Sequence, residues 1–80
     1  MGKDDPNNAP SPRHRLWRLR RPHQQIDALL VDHGDAGVDL QFFHNGDLVY
    51  TRRWDTREGA VSEAAEKRVE LERGGWAAHW

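Results

Sequence analysis

The sequence predicts an α+β fold in which a three- or four-stranded antiparallel meander is followed by one carboxy-terminal α-helix packed on one face. Three observations support this prediction. Short segments alternate apolar and polar residues, an Asn-Gly pair separates two of them, and a longer segment rich in Ala, Glu and Arg follows. Strands joined by short turns are most easily neighbours, and a single helix can cover only one sheet face.

The chain of 80 residues has room for one small domain. Residues 1–12 are rich in turn-forming Asp, Asn and Pro and lack apolar periodicity, so we expect a disordered tail there. The domain is predicted to span residues 13–76, and residues 77–80 to form a short tail. Apolar residues make up only 36% of the chain, so the four Trp, two Phe and one Tyr must supply much of the buried area.

The chain contains no cysteine, which predicts a reducing or redox-indifferent compartment. It also contains no run of roughly 20 apolar residues that could cross a bilayer, and residues 1–12 have no apolar centre of the kind a signal peptide needs. We therefore expect a cytoplasmic protein with no membrane partner.

Four segments have the length and pattern of strands. The first is ended by Pro22, and the second is followed by Gly34 and Gly37, which favours a strand over a helix there. In chain order the predicted strands are Arg15–Arg20, Ile26–Asp32, Val38–His44 and Asp47–Trp54.

The turn between the last two strands decides which side chains face the core, because a shift of one residue reverses the faces of a strand. A two-residue loop of Asn45 and Gly46 would place Phe42 beside Val49 and Arg53. A three-residue loop that includes His44 instead gathers a more apolar face, and we expect that arrangement. It leaves Phe43 and Val49 on the outer face and collects these residues on the other: Val38, Leu40, Phe42, Leu48, Tyr50 and Trp54.

The helix is predicted at about Thr56–Arg73, with Asp55 or Thr56 as its amino-terminal cap. Gly75 in a left-handed conformation would end it and bring Trp76 against the last turn. Its apolar stripe is narrow and suits close packing on a sheet that carries aromatic residues: Ala60, Val61, Ala64, Arg68 and Leu71.

The segment Asn45–Glu58, with Glu66-Lys67-Arg68 and Leu71-Glu72 after it, resembles a group of small uncharacterised bacterial proteins. In that group a sheet ends in a strand with paired arginines and an aromatic residue. A Thr-Arg-Glu cap and a helix closing in Gly-Trp follow. The resemblance covers roughly the last 55 residues and implies the same fold, without implying an activity.

A looser similarity is to DNA-binding domains built from a three-stranded sheet and a helix, of the plant ethylene-response and integrase amino-terminal types. Trp54, Thr56, Glu58 and Ala60 match the plant domains where the last strand enters the helix. The glycine and tryptophan signature of the plant sheet strands is absent from this sequence, and a shared architecture alone does not imply a shared function.

The residue pattern gives no reason to expect an enzyme, a metal or another cofactor. The five histidines form no His-x3–5-His pair, and there is no cysteine to complete a metal site. Ser11 and Ser62 have no base at a diagnostic spacing, and no glycine-rich phosphate loop is present.

Two functions remain as hypotheses. The first is a protein-interaction module, which would bind a partner protein or a second copy of the chain through exposed apolar residues on the uncovered sheet face: Leu29, Val31, Phe43 and Val49. The alternative is that the amino-terminal segment folds over that face and covers these residues. The second is nucleic-acid binding through the arginines of the first strand and one further along: Arg13, Arg15, Arg18, Arg20, Arg21 and Arg53. A net charge of −1 favours the first hypothesis. We expect Trp17 to lie in the core, because it alternates with Leu19.

Overall fold

The computed structural model describes residues 13–78 and shows an antiparallel sheet of four strands with one helix packed on it, which confirms the predicted α+β meander. The predicted tail at residues 1–12 lies outside the described residues. In chain order the elements are β1 (Arg13–Arg21), β2 (Gln24–Asp32), β3 (Val38–His44), β4 (Asp47–Trp54) and α1 (Arg57–Arg73), with a short 3-10 turn at Gly34–Ala36. Within residues 13–78, no helix has the length and apolar character that crossing a membrane would require.

The hairpin between β3 and β4 differs from the prediction, because its loop has two residues and not three. His44 lies opposite Asp47, and Phe43 lies opposite Leu48. A β-bulge then inserts one extra residue into β4, so that Phe42 lies opposite Tyr50. Tyr50 therefore lies on the core face, as predicted, but a bulge in β4 places it there and not a three-residue loop.

The core lies between the sheet and α1. Trp17 is buried, as expected, and its indole Nε1 donates a hydrogen bond of 3.1 Å to the backbone carbonyl of Ala64 in the helix. Its ring stacks on Phe42, which in turn stacks on Tyr50, with centroid distances of 5.9 and 5.2 Å. The buried apolar residues are Trp17, Leu19, Ala28, Leu30, Val38, Leu40, Phe42, Ala60, Ala64 and Trp76.

The ends of α1 follow the sequence signals. Thr56 is the amino-terminal cap, and its side chain accepts a hydrogen bond of 3.1 Å from the backbone N–H of Gly59. Gly75 has a φ of 99°, and the N–H of Trp76 donates to the carbonyl of Leu71 over 3.1 Å. Val61, however, is 39% exposed, so the buried stripe of the helix is narrower than predicted.

The chain after the helix returns to the edge of β1. Ala77 and Arg20 exchange two backbone hydrogen bonds of 2.8 and 2.9 Å, which pair this segment with the sheet. Trp76 is thereby held over the end of the sheet. The guanidinium carbon of Arg21 lies 4.5 Å from the centroid of its ring, and the centroid of the His44 ring lies 6.4 Å from it. The pairing with the sheet thus includes Ala77.

Candidate functional site

The sheet face opposite α1, called the outer face below, is covered by no other element among residues 13–78. Side chains alternate between the two faces of a strand, so the residues between the buried core positions lie on it. Its main positions, from β1 to β4, are Arg13, Arg15, Arg18, Arg20, Asp27, Leu29, Val31, Asp39, Gln41, Phe43, Leu48, Thr51 and Arg53.

Four arginines form a row along β1 at one side of the outer face. Arg18 is neutralised by Asp27, with 2.6 Å between Nε and Oδ1. Arg20 donates to the side chain of Gln25 over 3.1 Å. The side chains of Arg13 and Arg15 are exposed, and their guanidinium groups form no hydrogen bond or ion pair with the other described residues. Two guanidinium groups are therefore available to carboxylates or phosphates from outside.

Apolar side chains occupy the centre of the outer face. Arg13 lies directly opposite Val31, and Arg15 lies directly opposite Leu29. Leu29 and Phe43 are half-buried and line a shallow depression of about 280 Å³, together with Arg13, Arg15 and Arg18 of β1. Each free guanidinium thus lies next to an apolar side chain.

A second polar cluster lies at the β4 side of the outer face and is centred on Asp39. This carboxylate accepts hydrogen bonds from Arg53 and is paired with His33, whose Nε2 lies 2.9 Å from Oδ2. Arg53 also donates to the carbonyl of Ala36 over 3.1 Å, which ties β4 to the 3-10 turn. The hydrogen bond from Arg53, followed by that from His33, lowers the pKa of Asp39 below its ordinary value, and burial partly opposes this effect.

This cluster predicts a loss of stability in acid. The folded state favours the ionised form of Asp39, so the ionised carboxylate adds to the free energy of unfolding. This contribution is fully present above the ordinary pKa of 3.8 and disappears as the pH falls through the lower folded-state pKa. We expect Asp39→Asn to be less stable than the parent at pH 7, with the difference shrinking between about pH 4 and pH 2. Urea titrations at several pH values measure it, and a difference that is equally large at pH 7 and pH 2 would contradict the assignment.

The structure brings together three of the four residues predicted for protein binding. Leu29, Val31 and Phe43 share the outer face. Val49 does not join them, because the bulge turns it toward α1, where it lines a groove with Glu66. Leu48 takes the fourth place, opposite Phe43 and 50% exposed. The Asn-Gly pair pointed to the two-residue loop, but the alternation of β4 gave no sign of a bulge.

The structure also does not bring together all the residues predicted for nucleic-acid binding. Arg13, Arg15, Arg18 and Arg20 share the row on β1. Arg53 lies on the far side of the same face. Arg21 instead lies over the ring of Trp76, on the helix side of the sheet.

The described residues contain no group of three or more His, Asp or Glu side chains that could hold a metal ion. Compared with known protein families, with curated proteins and with solved structures, the chain shows no significant match to any of them. The candidate site therefore has to be interpreted from its own chemistry.

Proposed function

We propose that the chain is a small, non-catalytic protein-interaction module whose outer face binds an acidic segment of a partner protein. The segment would carry apolar side chains beside its carboxylates. The proposed compartment is the cytoplasm, as the absence of cysteine suggests.

One observation carries the proposal: Arg13 and Arg15 are free and lie directly opposite Val31 and Leu29. A guanidinium can bind a carboxylate through two parallel hydrogen bonds. An adjacent apolar side chain of the same partner would then cover Leu29 and Phe43, and burial of apolar area would add to the affinity. A partner that is only acidic would leave the apolar side chains uncovered, and a partner that is only apolar would leave the two guanidinium groups without a carboxylate.

Nucleic acid fits the outer face less well. Asp27 and Asp39 lie within the face, where they neutralise Arg18 and Arg53 and would repel phosphates. A nucleic-acid surface gains affinity mainly from the number of phosphates that it neutralises, and among residues 13–78 only the guanidinium groups of Arg13 and Arg15 on this face are free to do so. The experiment must therefore distinguish binding of an acidic protein segment from binding of nucleic acid.

The experiment uses a labelled peptide of alternating Glu and Leu as a probe and measures binding by fluorescence anisotropy. Phe43→Ser and Arg15→Glu are each expected to raise the Kd about tenfold, since each removes roughly 1.4 kcal/mol or more of contact. Val69→Ser and Arg73→Glu are matched controls, because both residues are exposed on α1, away from the outer face. These two substitutions should leave the Kd unchanged.

Three further probes define the failure of the proposal. A peptide of alternating Glu and Ser, which lacks apolar side chains, should bind much more weakly than the Glu-Leu peptide. Equal binding of both peptides would show that the apolar residues of the outer face have no role and would contradict the proposal. Tighter binding of a single-stranded oligonucleotide, with a steep salt dependence, would favour the nucleic-acid function. A mass in solution that doubles with concentration and reverts in Phe43→Ser would show that the occupant is a second copy.

A further inference from the structure

A groove of about 410 Å³ lies on the other side of the sheet, between α1 and the hairpin end of β3 and β4. The floor of the groove is apolar and aromatic, and Val49 on it is 61% exposed. The floor residues are Ile26, Phe42, Val49 and Tyr50.

The rim of the groove, which α1 supplies, is acidic: three glutamates and one lysine line it. Glu63 accepts hydrogen bonds from Tyr50 over 2.5 Å and from the indole of Trp54 over 2.7 Å. The hydrogen bond to Glu63 raises the pKa of Tyr50, so the phenol stays a donor to that carboxylate. Lys67 pairs with Glu70 at 3.6 Å.

Glu66 is the carboxylate that remains available. Its side chain is exposed, and the carboxylate forms no hydrogen bond or ion pair with the other described residues. The pair of Lys67 and Glu70 is solvent-exposed, and such pairs contribute little to stability, so Glu70 can exchange its partner easily. The groove thus offers one free and one exchangeable carboxylate above an exposed apolar floor.

We propose that this groove is a second docking site, which binds a short, extended, basic segment of a partner protein in which cationic residues alternate with apolar ones. The charge of the rim selects a cation, and the apolar floor selects a neighbouring apolar side chain. A second copy of the chain that docked through its own groove would not be complementary, because two acidic rims would then face each other.

The spacing of the rim fits an extended segment. Glu66 and Glu70 are four residues apart on one helix, a rise of about 6 Å along the axis. Side chains two residues apart in an extended chain point the same way and are about 6.8 Å apart. Two cations at positions i and i+2 can therefore reach the two glutamates, while the apolar residue between them faces the floor near Val49.

The test measures fluorescence anisotropy of a labelled eight-residue peptide of alternating Arg and Leu. Glu66→Lys is expected to raise the Kd about tenfold by charge reversal, and Val49→Ser to raise it to a similar extent by removal of apolar contact. Each variant has a matched control outside the groove, namely Glu72→Lys and Val69→Ser, which should bind like the parent. All four positions are exposed, so the circular dichroism spectrum should not change.

Two outcomes would overturn the inference. If a peptide of alternating Arg and Ser bound as tightly as the Arg-Leu peptide, the helix would act only as a negatively charged surface and the floor would have no role. If Glu72→Lys weakened binding as much as Glu66→Lys, the peptide would not lie in the groove. Neither outcome affects the outer face, because the groove variants and the Glu-Leu peptide address opposite sides of the sheet.

Discussion

Replacing Leu40 with alanine is expected to lower the free energy of unfolding by about 2–5 kcal/mol. Leu40 is 0% exposed and lies on the inner strand β3, directly opposite Leu30, which is also fully buried. A core of this size rarely supplies more than roughly 3–5 kcal/mol in total, so the Leu40→Ala protein should lose much of its stability and unfold at a far lower urea concentration than the parent. A urea titration followed by circular dichroism measures the loss.

Leu48→Ala is the matched control, because the same side chain is removed from a position that is 50% exposed on the outer face. We expect it to cost less than about 1 kcal/mol. If the two variants unfolded at the same urea concentration, the side chains of β3 and β4 would not face the directions described above.

The meander and the helix could be predicted because their signals are local. Alternation defines the strands, Asn45-Gly46 defines the turn, and the Thr56 and Gly75 signals mark the ends of α1. The register of the hairpin is not a local property. Both the predicted loop and the observed bulge place Phe42 and Tyr50 on the same face, so the apolar pattern does not distinguish them.

The outer face could be predicted only in part, for the same reason. The bulge shifts β4 along β3, which exchanges the faces of Leu48 and Val49 and places Arg53 opposite Asp39. The three-residue loop would have placed Thr51 there and left Asp39 without its arginine. The acidic groove depends in addition on where α1 lies over the sheet, because residues of both line it, and alternation in the strands does not encode that position.

Trp54 lies on the core face, as the sequence pattern predicts, but at the margin of the core. The ring is half-buried under the first turn of α1. Its Nε1 donates to Glu63 over 2.7 Å, and the guanidinium carbon of Arg52 lies over the ring, 4.2 Å from its centroid. The ring can lie so close to the helix because residue 59 is glycine.

Gly59→Ala is therefore expected to destabilise the protein by about 1–3 kcal/mol. Glycine inside a helix normally costs about 0.5–1 kcal/mol relative to alanine, so helix propensity alone predicts the opposite sign. A Cβ at residue 59 would overlap the six-membered ring of Trp54 and lie 2.9 Å from its Cζ3. The ring cannot move away without loss of its hydrogen bond to Glu63 and its contact with Arg52.

A double-mutant cycle, measured by urea titration, separates the overlap from any other effect of the methyl group. In a Trp54→Ala background the ring is gone, so Gly59→Ala should become stabilising by about 0.5–1 kcal/mol, as helix propensity predicts. The change of sign between the two backgrounds is the expected result. A Gly59→Ala substitution that stabilised the parent protein as well would show that Trp54 does not pack against the first turn of α1.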